Sequence, residues 1–179
     1  MVREGDLKPP AQWPPQPPSL GKKSISLNVS RGADSDGTIP ETTQATAKLF
    51  REQAAKAYTE SGLFSSVSVE GESADIRADI SIVEEGSEGL AFLSGFISGF
   101  TFGMIPGYAS EDLITKTVYK GRDQKVLANI DKKEELGFWI QIFLIFAMPF
   151  SDEPEDVVKS AHYDLHRLTI DESHAKGIF

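Results

Sequence analysis

Two histidines, His162 and His166, have the spacing in this chain that most suggests chemistry. Residues four apart on a helix share one face, so the pair could supply two ligands to a metal ion. A third ligand is not evident, because Asp164 points elsewhere on such a helix and the glutamate of an HExxH motif is absent. We therefore interpret both as surface histidines flanking an apolar stripe, with a metal site as the alternative.

Neighbouring carboxylates are the second candidate, as in Glu84–Glu85 and Glu134–Glu135. Nothing in the sequence marks these pairs as buried, so we interpret them as solvated charge rather than as a catalytic acid and base. Phosphate-loop, dinucleotide-binding and GxSxG motifs do not occur either. The sequence thus predicts a protein that is not an enzyme, with no catalytic residue, no metal ligand and no cofactor.

Charge and cysteine content narrow the class further. The 179 residues include 27 acidic and 18 basic side chains, which gives a formal net charge of −9. Nucleic-acid binding requires clustered lysine and arginine to neutralise phosphates, and no such cluster occurs, so we expect no nucleic-acid partner. The sequence contains no cysteine, which excludes disulfides and thiolate metal sites within it.

Hydrophobic periodicity predicts strands and helices over most of the chain. In order, the pattern gives a strand at 24–30, a helix at 41–61, strands at 66–70 and 74–85, a hairpin around the GRDQ turn at 121–124, and a helix from Asp152 to about Thr169. This order predicts an α+β domain. We expect a mixed or antiparallel sheet of about four to five strands with both helices on one face.

Two long uncharged runs, 89–110 and 137–150, stand apart from this pattern. The first has 22 residues, and about 20 helical residues cross a bilayer core. In a helix, its glycines at every fourth position would share one side, as in tightly packed membrane helices. The second run is short for a span, and its composition favours a strand. The residues assigned to membrane contact or self-association are Phe92, Gly95, Phe96, Gly99, Phe100, Gly103, Gly107, Trp139, Ile140 and Phe143.

Three interpretations of these runs remain open. The first run inserts in or lies on a membrane, or both runs are soluble structure, namely a glycine-rich loop over the sheet and a buried strand. In the third interpretation the glycine side is a seam between copies in a homo-oligomer. In water each helical glycine would cost roughly 1 kcal/mol against alanine. Either something packs on the glycines, or the segment is not helical.

The amino-terminal residues are rich in proline, with six of the ten prolines between Pro9 and Pro18. Such a run favours the extended polyproline form, in which ten residues reach on the order of 30 Å. We predict that residues 1–23 form a flexible tether. Residues 24–179 are predicted to form a single α+β domain with an apolar insertion at 87–110.

A helix ending in SGLFSSVSV, followed by ADIRADISIVEEG, resembles the amino-terminal domain of the Tol-system translocation protein. It is also similar to envelope lipoproteins of the curli-secretion and penicillin-binding-protein-activator kind. The run SGFTFGMIPGY, a hairpin and an apolar run closing in MPF resemble uncharacterised bacterial lipoproteins. The resemblance covers roughly residues 24–170. It implies a non-enzymatic protein on the periplasmic side of a membrane, tethered through an acylated cysteine that Met1 would replace in a trimmed sequence.

We therefore expect a cell-envelope protein with a structural, assembly or interaction role. Its partners would be membrane lipid, other envelope proteins or further copies of itself, contacted through the glycine- and phenylalanine-rich run. If Met1 is the native start, a cytoplasmic protein is expected instead. The alternative function is a soluble binding module, in which the uncharged runs wall a pocket for a lipid or another hydrophobic molecule.

Overall fold

A computed structural model describes residues 2–3, 8–18, 21–34, 37–39, 41–71, 73–86, 107–140 and 154–179. Within these ranges the elements are β1 (Val2–Arg3), β2 (Ser24–Arg31), α1 (Gln44–Glu60), β3 (Ser66–Val69), β4 (Ile76–Gly86), β5 (Gly107–Gly121), β6 (Val126–Ile140) and α2 (Pro154–Ala175). The predicted strands at 24–30, 66–70 and 74–85, the hairpin and both helices are confirmed. The two-residue strand β1 is not predicted by any sequence pattern.

The strands form one mixed sheet in the order β1-β6-β5-β4-β2-β3. Strand β2 runs parallel to both β3 and β4, whereas the β4–β5, β5–β6 and β1–β6 pairs are antiparallel. The parallel pairing of β2 with β3 requires a crossover, which α1 supplies. The predicted α+β class with a mixed sheet is therefore confirmed.

Local signals explain where the helices begin and end. Thr43 caps α1, because its hydroxyl accepts a hydrogen bond from the amide of Thr46 at 3.1 Å. Gly62 follows α1 with φ of +65°, a conformation that glycine adopts without strain. Helix α2 ends at Ala175 rather than near Thr169, because its buried face continues through Ile170. Asp152, where the sequence predicts that this helix begins, lies outside the described residues.

Both helices cover the same face of the sheet. Helix α1 packs against β2 and β3, α2 packs against β6 and β5, and the two helices contact each other. The alternation of β2 and β4 sends every second side chain into this interface. The core consists mainly of Ile25, Leu27, Phe50, Ala54, Ala57, Tyr58, Leu63, Ile76, Ala78, Ile80, Ile82, Leu113, Tyr119, Ile130, Leu136, Ala161, Leu165 and Ile170.

The two ends of the sheet differ in the chain segments that continue from the strands there. At one end β4 stops at Gly86, β5 starts at Gly107 and β6 stops at Ile140; we call this the apolar-segment end. The opposite end, here the turn end, is formed by the β5–β6 turn at residues 122–125. Both uncharged runs therefore meet the sheet at the same end. None of the helices in the described ranges combines the length and the apolar character needed to span a bilayer.

Candidate functional site

The predicted contact residues fall into two groups. Seven lie outside the described residues: Phe92, Gly95, Phe96, Gly99, Phe100, Gly103 and Phe143. The other three lie on paired strands, since Gly107 pairs with Ile140 and Trp139 pairs with Tyr108. Gly107 is thus extended backbone in β5, so a helix, which the sequence left open for this run, would not include its last glycine. The contact role of all ten residues stays a prediction.

Arg3 joins three elements at the apolar-segment end. Its Nε donates to Glu134 Oε1 on β6 at 2.9 Å, and its Nη1 donates to Asp164 Oδ2 on α2 at 2.6 Å. Arg167 donates to the other oxygen of Asp164 at 3.0 Å. We call the contacts of Arg3 with Glu134 and Asp164 the Arg3 clasp. Two acids thus face two arginines, so the charges of the group balance.

Burial makes the Arg3 clasp stronger than a surface ion pair. The side chain of Glu134 is 1% exposed and that of Arg3 is 25% exposed. Burial by itself would lower the pKa of Arg3, but its hydrogen bonds to Glu134 and Asp164 outweigh burial and raise that pKa above the ordinary value. The interpretation of Glu134 as solvated charge is therefore wrong. Its side chain points toward the helices, because alternation on β6 places residues 130, 134 and 136 on the buried face.

The proline-rich segment also contacts the domain. Trp13 packs against the core, and the guanidinium carbon of Arg167 lies 5.0 Å from its ring centroid. Such a cation–π contact adds to the ion pair that Arg167 makes with Asp164. Pro15 is buried as well. These contacts concern residues 2–3 and 8–18, and the flexible tether over residues 1–23 stays a prediction.

His162 and His166 lie in the core, so their interpretation as surface histidines is wrong. Both are fully buried on the side of α2 that faces α1, with the His162 ring 4.9 Å from Phe50 and the His166 ring 6.4 Å from Tyr58. Burial lowers the pKa of His162 to about 4. Burial, together with the neighbouring His162, lowers the pKa of His166 to about 3. At neutral pH both rings are uncharged.

The donor set around these histidines does not match a metal site. Among the described residues, no three His, Cys, Asp or Glu side chains are arranged so that they could hold a metal ion. Within the same ranges, neither ring nitrogen of either histidine has a hydrogen-bond partner, and the buried hydroxyls of Thr115 and Thr117 on β5 have none. Burial without a hydrogen-bond partner makes protonation of either histidine costly.

A buried tyrosine pair closes the turn end of the core. The hydroxyls of Tyr58 on α1 and Tyr119 on β5 lie 2.6 Å apart, and both side chains are fully buried. Burial raises the pKa of Tyr119 to about 12, although hydrogen bonds from Ser173 and Tyr58 act in the opposite direction. Neither hydroxyl is therefore poised to lose a proton near neutral pH. The pair acts as a structural bridge between helix and sheet.

An open groove lies between the amino-terminal parts of α1 and α2, near the apolar-segment end. It has a volume of about 570 Å³ and contains Leu49 and Phe50 from α1 and Val158 from α2. Glu84 of β4 lies at its edge and is paired with Arg31 at 2.6 Å. Its size falls in the range of small-molecule sites, which is roughly 300–1,000 Å³.

Sequence reasoning missed the Arg3 clasp altogether. The Val2–Arg3 dipeptide has no periodic pattern, and its carboxylate partner Glu134 lies 131 residues away along the chain. Trp13 is the better signal, because an aromatic residue inside a proline-rich run is unusual for a purely solvated linker. Its contact with α2 agrees with that signal.

Comparisons with known proteins find matches among solved structures. No family model matches this chain, and no curated protein matches it either. A structure of the PelC dodecamer from Paraburkholderia phytofirmans is similar over 86% of this chain and 88% of that chain, with 12% identity and a TM-score of 0.42. At this TM-score and identity, the likeness establishes neither a shared function nor a shared assembly.

Proposed function

We propose that this protein is a non-enzymatic cell-envelope protein whose apolar-segment end contacts a membrane or further copies of itself. The observation that carries the proposal is the convergence of both uncharged runs on one end of the sheet. Gly107, in the run of 22 residues, pairs directly with Ile140, in the run of 14 residues. Large contiguous apolar surfaces on soluble proteins mark interaction sites, and we propose that role for these two runs.

The envelope location and the non-enzymatic role draw on different support. The resemblance of residues 24–170 to periplasmic lipoprotein domains supports the location. The polar groups of the described core support a structural role, because Arg3 and Arg167 neutralise Glu134 and Asp164. The histidines are enclosed by aromatic side chains, where a substrate would have no access.

The glycine pattern of the first run provides the test. In the Gly99→Leu/Gly103→Leu variant, we expect weaker partition into vesicles or a lower oligomer mass, because two isobutyl groups block close approach. Gly21→Leu is the matched control, since a side chain at Gly21 would meet no atom within 4 Å. The measurements are vesicle co-sedimentation, light scattering for mass, and thermal unfolding.

If vesicle partition, oligomer mass and thermal stability are all unchanged in the double variant, these glycines have no packing role. An equal effect of Gly21→Leu would attribute the change to leucine itself rather than to the position. Loss of partition without a change in mass would assign the contact to lipid, and the reverse result would assign it to a second copy.

The groove between α1 and α2 supports a second candidate, a soluble binding module for a lipid or another hydrophobic molecule. Its apolar floor of Leu49, Phe50 and Val158 would contact an acyl chain or a small apolar ligand. Native mass spectrometry of the purified protein separates the two candidates. A co-purified small molecule that is lost in Leu49→Asp favours the binding module. Protein that carries no small molecule and requires detergent to remain in solution favours membrane contact.

A further inference from the structure

One side of β4, β5 and β6 points away from both helices. Side chains alternate across a sheet, so every second residue of these strands lies on this side. Within the described ranges no helix and no second sheet packs against it, and we call it the open face. Its exposed side chains include Arg77, Lys116, Asn129, Asp131 and Lys133. The open face is thus a surface of regular strands that a partner can reach.

Three carboxylates form a row across the open face near the apolar-segment end. Glu85 pairs with Asp112, and Asp112 pairs with Glu135, so like charges lie side by side on neighbouring strands. Such neighbours destabilise a sheet unless a cation offsets them. Lys133 lies 2.7 Å from Asp112, and that hydrogen bond raises its pKa. The charges of Glu135 and Glu85 raise the pKa further. Three carboxylates, here the acidic row, therefore share one lysine.

The opposite imbalance occurs near the turn end of the open face. Arg77 on β4 pairs with Lys120 on β5, and we call these two residues the basic row. Both side chains donate to Asp79, each at 2.7 Å, so two cations share one carboxylate. Between the two rows, Ile114 and Val118 of β5 are half-buried apolar side chains. The open face is thus negative at one end, partly apolar in the middle and positive at the other end.

The two rows are placed symmetrically about the middle of the sheet. On β4 and on β5 alike, eight residues separate the acidic row from the basic row, which is about 26 Å along the strand. The residues midway between them, Ser81 and Lys116, pair with each other. A two-fold axis that crosses the strands at this midpoint would place each acidic row on the basic row of a second copy. It would also place Ile114 of one copy against Val118 of the other.

We propose that two copies of this chain form a dimer by packing their open faces together, with the strands of the two sheets antiparallel. Glu85 of each copy then faces Arg77 of the other, and Asp112 faces Lys120. In a parallel arrangement the two acidic rows would face each other, so charge favours the antiparallel one. This inference goes beyond the proposed function, because it uses a surface other than the apolar-segment end.

The size of the open face indicates a reversible dimer. Strand β4 extends from Ile76 to Gly86. Three strands about 4.8 Å apart and about 33 Å long give roughly 480 Å² on each copy, or about 950 Å² in all. This area is at the low end for specific complexes and is typical of weak association. Because the contacts across the interface are mainly between opposite charges, added salt should weaken the dimer.

Sedimentation equilibrium of the full-length protein tests the dimer. Nonionic detergent is added, so that association through the uncharged runs does not contribute to the mass. The unchanged protein should be a dimer at high concentration and low salt. Glu85→Arg and Arg77→Glu each place like charges together across the interface, so each should lower the association constant at least about tenfold. The matched control is Glu52→Arg, which makes the same charge change at an exposed position on α1 and should associate normally.

Mixing the two single variants is the sharpest test of the contact. The first variant has a cation at both positions, and the second has a carboxylate at both, so a mixed pair restores opposite charges at each contact. Glu85→Arg and Arg77→Glu should therefore associate with each other although neither associates well alone. The double variant Glu85→Arg/Arg77→Glu should also recover. Within one chain the two positions are about 26 Å apart, so only a contact between chains explains recovery.

Spin labels report the orientation in the otherwise unchanged chain. Because the chain has no cysteine, Asp131→Cys and Asp123→Cys each introduce a single labelling site. Asp131 pairs with Lys116 at the midpoint, so its two labels should lie about 10–20 Å apart. Asp123 lies beyond Gly121 at the turn end, so its two labels should be at least about 33 Å apart. Short distances at both positions would overturn the antiparallel arrangement.

The remaining results separate this inference from the proposed function. A monomer at every concentration in low salt, or no recovery on mixing variants that thermal unfolding shows to be folded, overturns the dimer and leaves membrane contact standing. An equal loss in Glu52→Arg would attribute association to net charge rather than to the open face, and would also overturn it. Loss of vesicle binding with an intact dimer would overturn the proposed membrane contact alone.

Discussion

Replacing Arg3 with alanine should destabilise the whole domain, although Arg3 lies near the start of the chain in a two-residue strand. The substitution removes both hydrogen bonds of the Arg3 clasp, at 2.9 Å to Glu134 and at 2.6 Å to Asp164. Asp164 keeps Arg167 as a partner. Glu134, with a side chain that is 1% exposed, loses the cation that stabilises its charge.

The expected loss in the free energy of unfolding follows from the burial of Arg3 and Glu134. Removing one member of a buried ion pair typically costs about 3–5 kcal/mol, because the other charge stays desolvated. Arg3 is 25% exposed, so water can reach Glu134 from the position that the arginine leaves. We therefore expect the lower end of that range, about 3 kcal/mol, which for a domain of this size is a fall in melting temperature of roughly 6–12 °C.

Urea unfolding of Arg3→Ala and the unchanged protein measures this difference. The matched control is Arg122→Ala, because Arg122 also pairs with a carboxylate at 2.7 Å but is 75% exposed. We expect that control to leave the unfolding midpoint nearly unchanged. In the Arg3→Met/Glu134→Gln variant both charges are gone, so about 1–2 kcal/mol of the loss should return.

An unfolding midpoint for Arg3→Ala equal to that of Arg122→Ala would refute the reasoning, since it would mean that Glu134 is solvated or paired elsewhere. A double variant less stable than Arg3→Ala would also contradict it. That result would mean that Glu134 contributes through something other than its charge.

Three further predictions concern the core. Acid should destabilise the domain. Folding lowers the pKa of His162 to about 4 and that of His166 to about 3. The free energy of unfolding should therefore fall as the pH drops below the pKa of histidine in the unfolded chain, which is near 6.5. The slope should be roughly 1 kcal/mol per pH unit for each histidine, measured by urea unfolding between pH 7 and pH 4.5. Tyr58→Phe should cost about 1–2 kcal/mol by thermal unfolding, because it leaves the buried Tyr119 hydroxyl without its 2.6 Å partner. Thr43→Ala should cost about 1 kcal/mol by the same assay, because the cap of α1 is lost.

Each of these predictions has its own control. His162→Leu/His166→Leu should flatten the acid slope, and an unchanged slope would show that carboxylates alone set the acid sensitivity. Tyr58→Phe/Tyr119→Phe should lie closer to the unchanged protein than the sum of the single variants, whereas strict additivity would exclude the hydroxyl pair. Thr43→Ser keeps the capping oxygen, so a loss equal to that of Thr43→Ala would exclude the cap.

The sheet and the helices could be predicted because their signals are local. In β2, Ile25, Leu27 and Val29 alternate with polar residues, and that pattern alone identifies the buried face. The end of α1 just before Gly62 follows from the ease with which glycine adopts a positive φ. The hairpin follows from a short polar turn between two alternating segments.

The buried polar groups could not be predicted, because their partners are distant in sequence. From the sequence alone, Glu134 is one of two adjacent acids that would be expected at the surface. Only the fold brings Arg3, which is 131 residues away in the chain, into contact with it. His162 and His166 are buried because α2 packs on the sheet and on α1 together, which widens its buried face beyond the usual stripe. The hydrophobic pattern of one helix does not indicate whether a second helix packs against it.

Vesicle flotation tests the central claim, membrane contact through the apolar-segment end, most directly. The full-length protein should float with phosphatidylcholine vesicles, and Phe96→Asp/Phe100→Asp in the first uncharged run should abolish flotation. The matched variant is Val126→Asp/Leu127→Asp at the turn end, where both side chains are half exposed, and it should float like the unchanged protein. Equal flotation of all three proteins, or loss in the turn-end variant alone, would contradict the account.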